Sequence, residues 1–243
     1  MDFSSNPIII WLDNAAEFFK KHQRVVVLGL TGIALAGAAG TAYWYYKGYV
    51  REQSHKAFVE ALKYYDGTIG ATPSSTQDQL TFANEEEKWT KTAQAFNQAH
   101  SDYSSSELAP LCKMMEAEAL LNLGQNEKAQ ALLESSVDAI NNDAMRDFYR
   151  VKLALIKIDT DKEAEIQKGI NILKALSDNA QSPAHESALY YLGAYHWTKK
   201  EFNQARNCWQ MLLVKYGATD AKYQSTYAEK VKEKLALLNV ESL

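Results

Sequence analysis

An uninterrupted apolar run near the start of the chain dominates its hydrophobic pattern. Residues 25–46, VVVLGLTGIALAGAAGTAYWYY, contain no charged side chain. A helix of that length, at ~1.5 Å per residue, reaches about 33 Å and can cross a hydrocarbon core about 30 Å thick. The aromatic residues from Tyr43 to Tyr46 end the run, as is typical of a membrane–water interface. The run therefore predicts a single transmembrane helix.

Two other interpretations of this run stay open. A helix this apolar could lie in a soluble core, although little else in the chain could surround it. A cleavable signal peptide is also compatible with the small residues at Ala34, Ala36 and Ala38. The run continues past these positions into the aromatic residues, and a segment of 24 residues precedes it. Both features favour an uncleaved membrane anchor.

Basic residues flank the run on both sides and set the predicted orientation. Lys20, Lys21 and Arg24 precede it, while Lys47 and Arg51 follow it. Basic residues on the short side of a span carry more weight than those beside a long domain. The pattern favours a cytoplasmic N-terminus and, in a bacterial cell, a periplasmic C-terminal domain. The predicted organisation is a cytoplasmic amphipathic segment at 1–24, the span at 25–46 and a helical domain at 47–243.

The segment before the run has the period of an amphipathic helix. Between Asn6 and Gln23, apolar side chains fall on one half of a helix and polar side chains on the other. Beside a span, such a helix most simply lies in the membrane interface. The alternative is that its apolar face packs on a membrane partner.

Small residues recur at every fourth position within the run. Such spacing places them on one stripe of a helix and permits the close approach of a second span. The candidate span-packing stripe consists of Gly32, Ala36 and Gly40.

The rest of the chain has the pattern of consecutive amphipathic helices. It contains few helix breakers, since the whole chain has 4 prolines and 11 glycines. The first helix is expected to continue to about Tyr65, before a Gly/Ser/Thr-rich loop at 66–81. Asn84, with Glu87 three positions later, predicts a helix that begins at Glu85. Further helices are predicted at 108–123, 127–141, 144–158, 163–176, 183–198, 203–216 and 223–238.

A repeated pair of a small and a large residue marks the second helix of each predicted hairpin. Two helices cross closely only where a side chain is small, and a large neighbour fills the groove beside it. The pairs are Thr92 and Phe96, Ala129 and Leu133, Gly169 and Leu173, and Ala205 and Trp209; the small residues of the first helices are Ala117, Ala154 and Gly193. The pattern predicts an all-α fold, in which the transmembrane helix is followed by an α-solenoid of degenerate helical hairpins.

These hairpins resemble tetratricopeptide repeats. The clearest unit is Ala188 to Leu213, ALYYLGAYHWTKKEFNQARNCWQMLL, and the next is Ala117 to Val137. Two other units are degenerate, with Thr92 and Gly169 where the family usually has alanine.

The order of elements resembles the YfgM-like family of single-span bacterial membrane proteins. It combines a short amphipathic helix, one span and a divergent repeat array, and the resemblance covers nearly the whole chain. It implies a type II inner-membrane protein whose periplasmic domain is an accessory of the Sec translocon. Its implied partners are translocon subunits and a periplasmic chaperone or foldase. The residues alone indicate a membrane-anchored scaffold. A second possible function is therefore that of an envelope organiser that bridges division or wall-synthesis complexes.

Composition and motifs argue against nucleic-acid binding and catalysis. The 26 basic and 30 acidic residues are well mixed and give a formal net charge of -4, which leaves no basic field for nucleic acid. The histidines lack metal-ligand spacing, and neither a phosphate loop nor a nucleophile elbow occurs. We expect no enzyme activity, metal, cofactor or small-molecule substrate. Cys112 and Cys208 are expected to be buried hydrophobes, and a disulfide between them stays open.

Large apolar residues on the first helices form the candidate partner-binding groove. If the first helices line one face of the stack, a segment of a partner could lie along that face. The opposing interpretation buries the same side chains in the core of the domain. The groove residues are Met114, Leu121, Phe148, Val151, Leu155, Tyr190 and Trp197.

Overall fold

The computed structural model describes residues 18, 20–70, 80–217 and 225–240. The chain divides into two compact units, Met1–Gln53 and Ser54–Leu243. Most of the predicted amphipathic helix at 6–23 lies outside the described residues. The predicted boundary between span and domain falls inside the first long helix, α1 (Gln23–Tyr65).

Helix α1 contains the apolar run. Within the described residues it is the one helix that is long and apolar enough to cross a membrane. Two threonine hydroxyls in the run donate to carbonyls of the same helix, from Thr31 to Val27 at 2.8 Å and from Thr41 to Ala38 at 2.9 Å. These hydroxyls therefore need no partner outside the helix. A Cβ added at Gly32 or Gly40 would meet nothing within 4 Å, so the predicted stripe stays a prediction.

The second unit contains the end of α1 and the helices that follow it in the described residues. Their bounds agree with the predicted helices to within a few residues. The main difference is that the helix predicted at 127–141 ends at Ser136 and is followed by a 3-10 turn at Val137–Ala139. The helices are α2 (Glu85–Asp102), α3 (Ala109–Asn122), α4 (Asn126–Ser136), α5 (Asp143–Ile158), α6 (Glu163–Asp178), α7 (His185–Thr198), α8 (Phe202–Tyr216) and α9 (Thr226–Val240).

A short parallel pair of strands lies where the sequence predicted only a loop. β1 (Thr68–Ile69) pairs with β2 (Thr81–Phe82). The ring of Phe82 covers Gly67 so closely that a Cβ added there would overlap the ring. Residues 71–79 between the strands are outside the described part of the chain. The fold is mostly helical, with this pair at the junction of α1 and α2.

The predicted start of α2 is confirmed by its hydrogen bonds. The Asn84 side chain accepts from the Glu87 backbone N–H at 2.8 Å, and the Glu87 carboxylate accepts from the Ala83 N–H at 2.8 Å. These reciprocal bonds satisfy backbone donors that would otherwise be unpaired at the helix start.

Two equivalent turns between paired helices use different residues in the left-handed conformation. Gly124, with φ 69°, occupies this position between α3 and α4, whereas Lys200, with φ 60°, occupies it between α7 and α8. In both turns the next residue donates its N–H back into the helix, from Gln125 to Leu120 and from Glu201 to His196, each at 2.8 Å. Glycine adopts this conformation without steric cost, whereas lysine does not.

Two of the predicted small residues, Gly193 and Gly169, lie at helix crossings of the second unit. A Cβ at Gly193 would overlap the indole of Trp209, which is fully buried and donates from Nε1 to the Tyr190 carbonyl at 3.2 Å. A Cβ at Gly169 would lie 2.6 Å from the carbonyl oxygen of Ala154. The spacing therefore located both crossings correctly.

Both cysteines are free thiols in separate clusters. Cys112 is buried with Ala61 and Phe96, while Cys208 packs against the cluster around Leu173. Burial raises the pKa of both thiols, that of Cys112 to about 11. The disulfide that the sequence left open does not form in this structure.

Candidate partner-binding face

The predicted groove residues divide between the core and the surface. Met114 and Val151 are buried, with 0% and 6% of their surface exposed, whereas Phe148 is 54% exposed. Those that remain are partly buried against apolar clusters, namely Leu121, Leu155, Tyr190 and Trp197. The prediction that Met114 and Val151 line an open groove is therefore wrong.

Helix geometry explains why the predicted set was mixed. At ~100° per residue, a side chain three positions before the crossing residue lies about 60° from it, and one four positions after lies about 40° from it. Met114 and Leu121 have these offsets from Ala117, so they point toward the neighbouring helix. Phe148, six positions before Ala154, lies about 120° away and reaches the surface.

A different set of side chains meets where α3 and α5 lie side by side, and Phe148 is its one exposed member. We call it the α3–α5 face, and it consists of Met115, Glu118, Phe148, Tyr149 and Lys152. The Lys152 ammonium pairs with the Glu118 carboxylate and lies 5.0 Å from the centre of the Phe148 ring. The rings of Phe148 and Tyr149 meet edge to face at 5.3 Å. The face thus combines an exposed aromatic ring with an internally paired charge.

Tyr149 has a weakly satisfied hydroxyl at this face. The residue is 7% exposed, and its hydroxyl donates to the Met115 sulfur at 3.7 Å. A thioether is a weak acceptor, and the described part of the chain offers the hydroxyl no other hydrogen-bond partner. Burial, with a further contribution from Glu118, raises the pKa of Tyr149 to about 12, so the hydroxyl stays a donor at neutral pH.

A second aromatic cluster joins α7 to α9. The ring centres of Tyr190, Tyr191 and Tyr227 are 4.9 to 6.1 Å apart. Rings at this separation are in contact and leave no space between them for a ligand. Tyr190 therefore contributes to the packing of α9 against α7.

Sequence reasoning missed an ionic cluster that joins α4, α5 and α6. Lys157 is 3% exposed and pairs with Glu134 and with Glu165, the latter at 2.5 Å. Hydrogen bonds from Lys157 and Lys168 lower the pKa of Glu165 to about 2, and the bond from Lys157 lowers the pKa of Glu134. Burial acts to lower the pKa of Lys157, but the bonds to both carboxylates raise it overall. Its partners lie 23 and 8 residues away in sequence, and no local spacing signals them.

Consecutive helices that cross at small residues, with short turns between them, are typical of a helical-repeat domain. In the described residues, no group of three or more His, Cys, Asp or Glu could hold a metal ion.

The chain belongs to the tetratricopeptide repeat-like domain family, whose model matches residues 16–236. In comparisons with curated proteins and with solved structures, nothing matches the chain. A domain of this family indicates a role in protein–protein interaction.

Proposed function

We propose that this chain is a single-span membrane protein whose second unit is an α-solenoid that binds protein partners as an accessory of the Sec translocon. The family match over residues 16–236 is the observation that supports protein binding. Helix α1 supports the membrane anchor by its length and composition. The order of elements, which resembles the YfgM-like family, is the support for the translocon.

The proposed location is the bacterial inner membrane, with the N-terminus in the cytoplasm and the second unit in the periplasm. Lys20, Lys21 and Arg24, on the short side of α1, support this orientation. A reporter that is active only in the periplasm, fused after Leu243, should be active. A cytoplasm-only reporter at the same position should be silent, and the opposite pattern would overturn the proposed location.

The proposed activity is binding rather than catalysis. Both thiols have raised pKa values, so at neutral pH they are protonated and poorly nucleophilic. His185, the histidine beside Glu186, is 6% exposed and lies 2.9 Å through Nδ1 from the Tyr216 hydroxyl. This pair packs α7 against α8.

Affinity capture of the tagged full-length protein from gently solubilised membranes tests the proposed partners. We expect translocon subunits, a periplasmic chaperone or foldase, and incompletely folded secreted chains. A tagged version of the span alone, residues 1–46, is the matched control and should not recover secreted chains. Recovery of division or wall-synthesis proteins without secreted chains would replace the proposal with an envelope organiser.

A further inference from the structure

We propose that a cluster of tyrosines at α7 and α9, together with a carboxylate, binds the ammonium group of a lysine side chain on a protein partner. Protein binding itself is taken from the proposed function, and the inference adds the chemical group that is bound. We call the cluster the α7–α9 tyrosine site, and it consists of Glu186, Tyr190, Tyr191, Ser225 and Tyr227. Each of these residues is partly exposed, so a side chain from outside the domain can reach the site.

The first support is the way in which the fold brings the carboxylate and the rings together. Glu186 and Tyr190 lie one turn apart on the same face of α7. The Ser225 hydroxyl donates to the Glu186 carboxylate and also caps the first turn of α9. The ring of Tyr227 lies 4.9 Å from that of Tyr190 and 6.1 Å from that of Tyr191. One carboxylate and three phenol rings therefore share a small area of the surface.

The second support is the charge of the site. In the described residues, no lysine, arginine or histidine side chain pairs with Glu186. Burial raises the pKa of the Glu186 carboxyl. Burial, then the hydrogen bond with Tyr191, and then the Glu186 carboxylate raise the pKa of Tyr227 to about 12. A cation beside these groups stabilises the ionised carboxylate, which burial alone disfavours.

The third support is a complete example of the same arrangement at the α3–α5 face. There the Lys152 ammonium pairs with the Glu118 carboxylate. The same ammonium lies 5.0 Å from the ring centre of Phe148 and 5.8 Å from that of Tyr149. The α7–α9 tyrosine site combines a carboxylate with aromatic rings in the same way, but the described residues supply no ammonium to it. A lysine side chain of a partner would complete the arrangement.

The geometry of the site favours a primary ammonium over other cations. The rings contact each other, so the bound group lies beside them and against Glu186. An ammonium donates up to three hydrogen bonds, which suits a carboxylate oxygen and the phenol oxygens around it. A quaternary ammonium has no N–H to donate. A guanidinium binds best to both oxygens of a carboxylate, and Ser225 already donates to one of them.

Ligand-observed NMR on the full-length protein in phosphatidylcholine nanodiscs tests this inference. The probe is a lysine whose α-amino and carboxyl groups are blocked, and the signal from nanodiscs without protein is subtracted. Three matched probes are the ε-acetylated and ε-trimethylated forms and blocked arginine. We expect the acetylated form to bind at least about tenfold more weakly, because it lacks the charge. The other two should bind about threefold more weakly, because they retain the charge but fit the hydrogen bonds less well.

Variants of the site separate the carboxylate from the rings. Glu186→Gln should weaken binding of blocked lysine about fivefold to tenfold without lowering the thermal midpoint, because the amide still accepts from Ser225 but carries no charge. Tyr227→Leu should weaken it about threefold, since one ring is lost. Glu127→Gln, at an exposed glutamate of α4, is the matched control and should bind as the unaltered protein does. Lys222→Met, at the lysine nearest to Ser225 in sequence, should also leave the affinity unchanged.

Several outcomes would overturn the inference. Equal affinity of Glu186→Gln and the unaltered protein would remove this cluster as the site. Equal affinity for the ε-acetylated probe would mean that the stem of the side chain is bound rather than its charge. A gain in affinity on Lys222→Met would mean that the chain's own lysine occupies the site.

Capture from membranes separates this inference from the proposed function. Glu186→Gln should recover at least about threefold less of the protein partners than the unaltered protein does. Full recovery by this variant would overturn the lysine site and leave the proposed function in place. Absence of partners from the unaltered protein would instead overturn the proposed function.

Discussion

At the crossing of α7 and α8, Gly193 lies against the indole of Trp209, whereas at the crossing of α5 and α6, Gly169 lies against the backbone carbonyl of Ala154. A second difference accompanies the first. Apolar residues, including Leu189 and Leu212, complete the α7–α8 pair. The α5–α6 pair has an apolar cluster around Leu173 as well, but Lys157 and its carboxylates lie beside the crossing.

The difference shows that the space beside a helix crossing can be occupied either by an apolar ring or by a cluster of paired charges. An indole fills the space beside a glycine by volume, so its contribution depends on fit and is insensitive to pH. An ionic cluster fills space with groups that need partners, so its contribution depends on charge. The indole and the ionic cluster should therefore respond differently to truncation and to acid.

The largest expected effect is the removal of the indole. Trp209→Ala should lower the free energy of unfolding by about 3 to 5 kcal/mol, because the side chain is fully buried. Urea titration followed by circular dichroism measures this loss. Met211→Ala on the same helix is the control, and a similar loss in both variants would mean that the effect is not one of burial.

A smaller loss is expected when the crossing is overpacked. Gly193→Leu should cost about 1 to 3 kcal/mol or more, because even a Cβ overlaps the indole. Gly48→Leu in α1 is the control, since a Cβ there would meet nothing within 4 Å. An unchanged melting temperature for Gly193→Leu would place the α7–α8 crossing elsewhere.

Loss of the buried ammonium tests the ionic cluster. Lys157→Met should cost about 1 to 3 kcal/mol at pH 7, since Glu134 and Glu165 lose their shared partner. The folded pKa of Glu165, about 2, is below its ordinary value of 4.5, so the stabilisation is present above pH 4.5 and is lost as the pH falls toward 2. The difference between variant and unaltered protein should therefore shrink between pH 7 and pH 3. A difference that is constant with pH would mean that Lys157 stabilises the fold through the volume of its side chain rather than through its charge.

A modest pH dependence is expected from His185 in α7. Burial, and then Lys215, lowers its pKa below the ordinary 6.5. The unfolded chain then binds more protons near that value, so this contribution to stability is complete above pH 6.5 and is lost as the pH falls. His185→Gln should flatten the profile of melting temperature between pH 7 and pH 5, whereas His55→Gln, at an exposed position, should not. Parallel profiles for both variants would contradict this assignment.

The smallest effect concerns the turn between α7 and α8. Lys200→Gly should raise stability by up to about 1 kcal/mol, because it relieves a left-handed lysine and reproduces the Gly124 turn. Gly124→Lys should lower stability by a similar amount. A loss on Lys200→Gly would mean that contacts of the lysine side chain outweigh the backbone cost.

The sequence predicted what depends on spacing along one helix. Helix bounds, the Asn84 cap and the crossing at Gly193 follow from local periods and from the size of single residues. The sequence could not predict which first-helix residues face outward, because Phe148 and Tyr149 are both aromatic and differ only by ~100° of rotation, yet they are 54% and 7% exposed. It also could not pair Tyr149 with Met115, or Lys157 with Glu134, because these contacts join residues that are 34 and 23 positions apart.

Helix α9 has a consequence for the order in which the chain folds. It contributes Ala228, Val231 and Leu238 to the cluster around Trp209, so that core needs the last described helix of the chain. The earlier helices contact neighbours in sequence, so short loops close first and each pair can form as the chain emerges from synthesis. A chain that stops before Thr226 leaves Leu189 and Leu212 partly uncovered. We therefore expect quality-control proteases to cleave a chain that lacks α9 within α7 and α8.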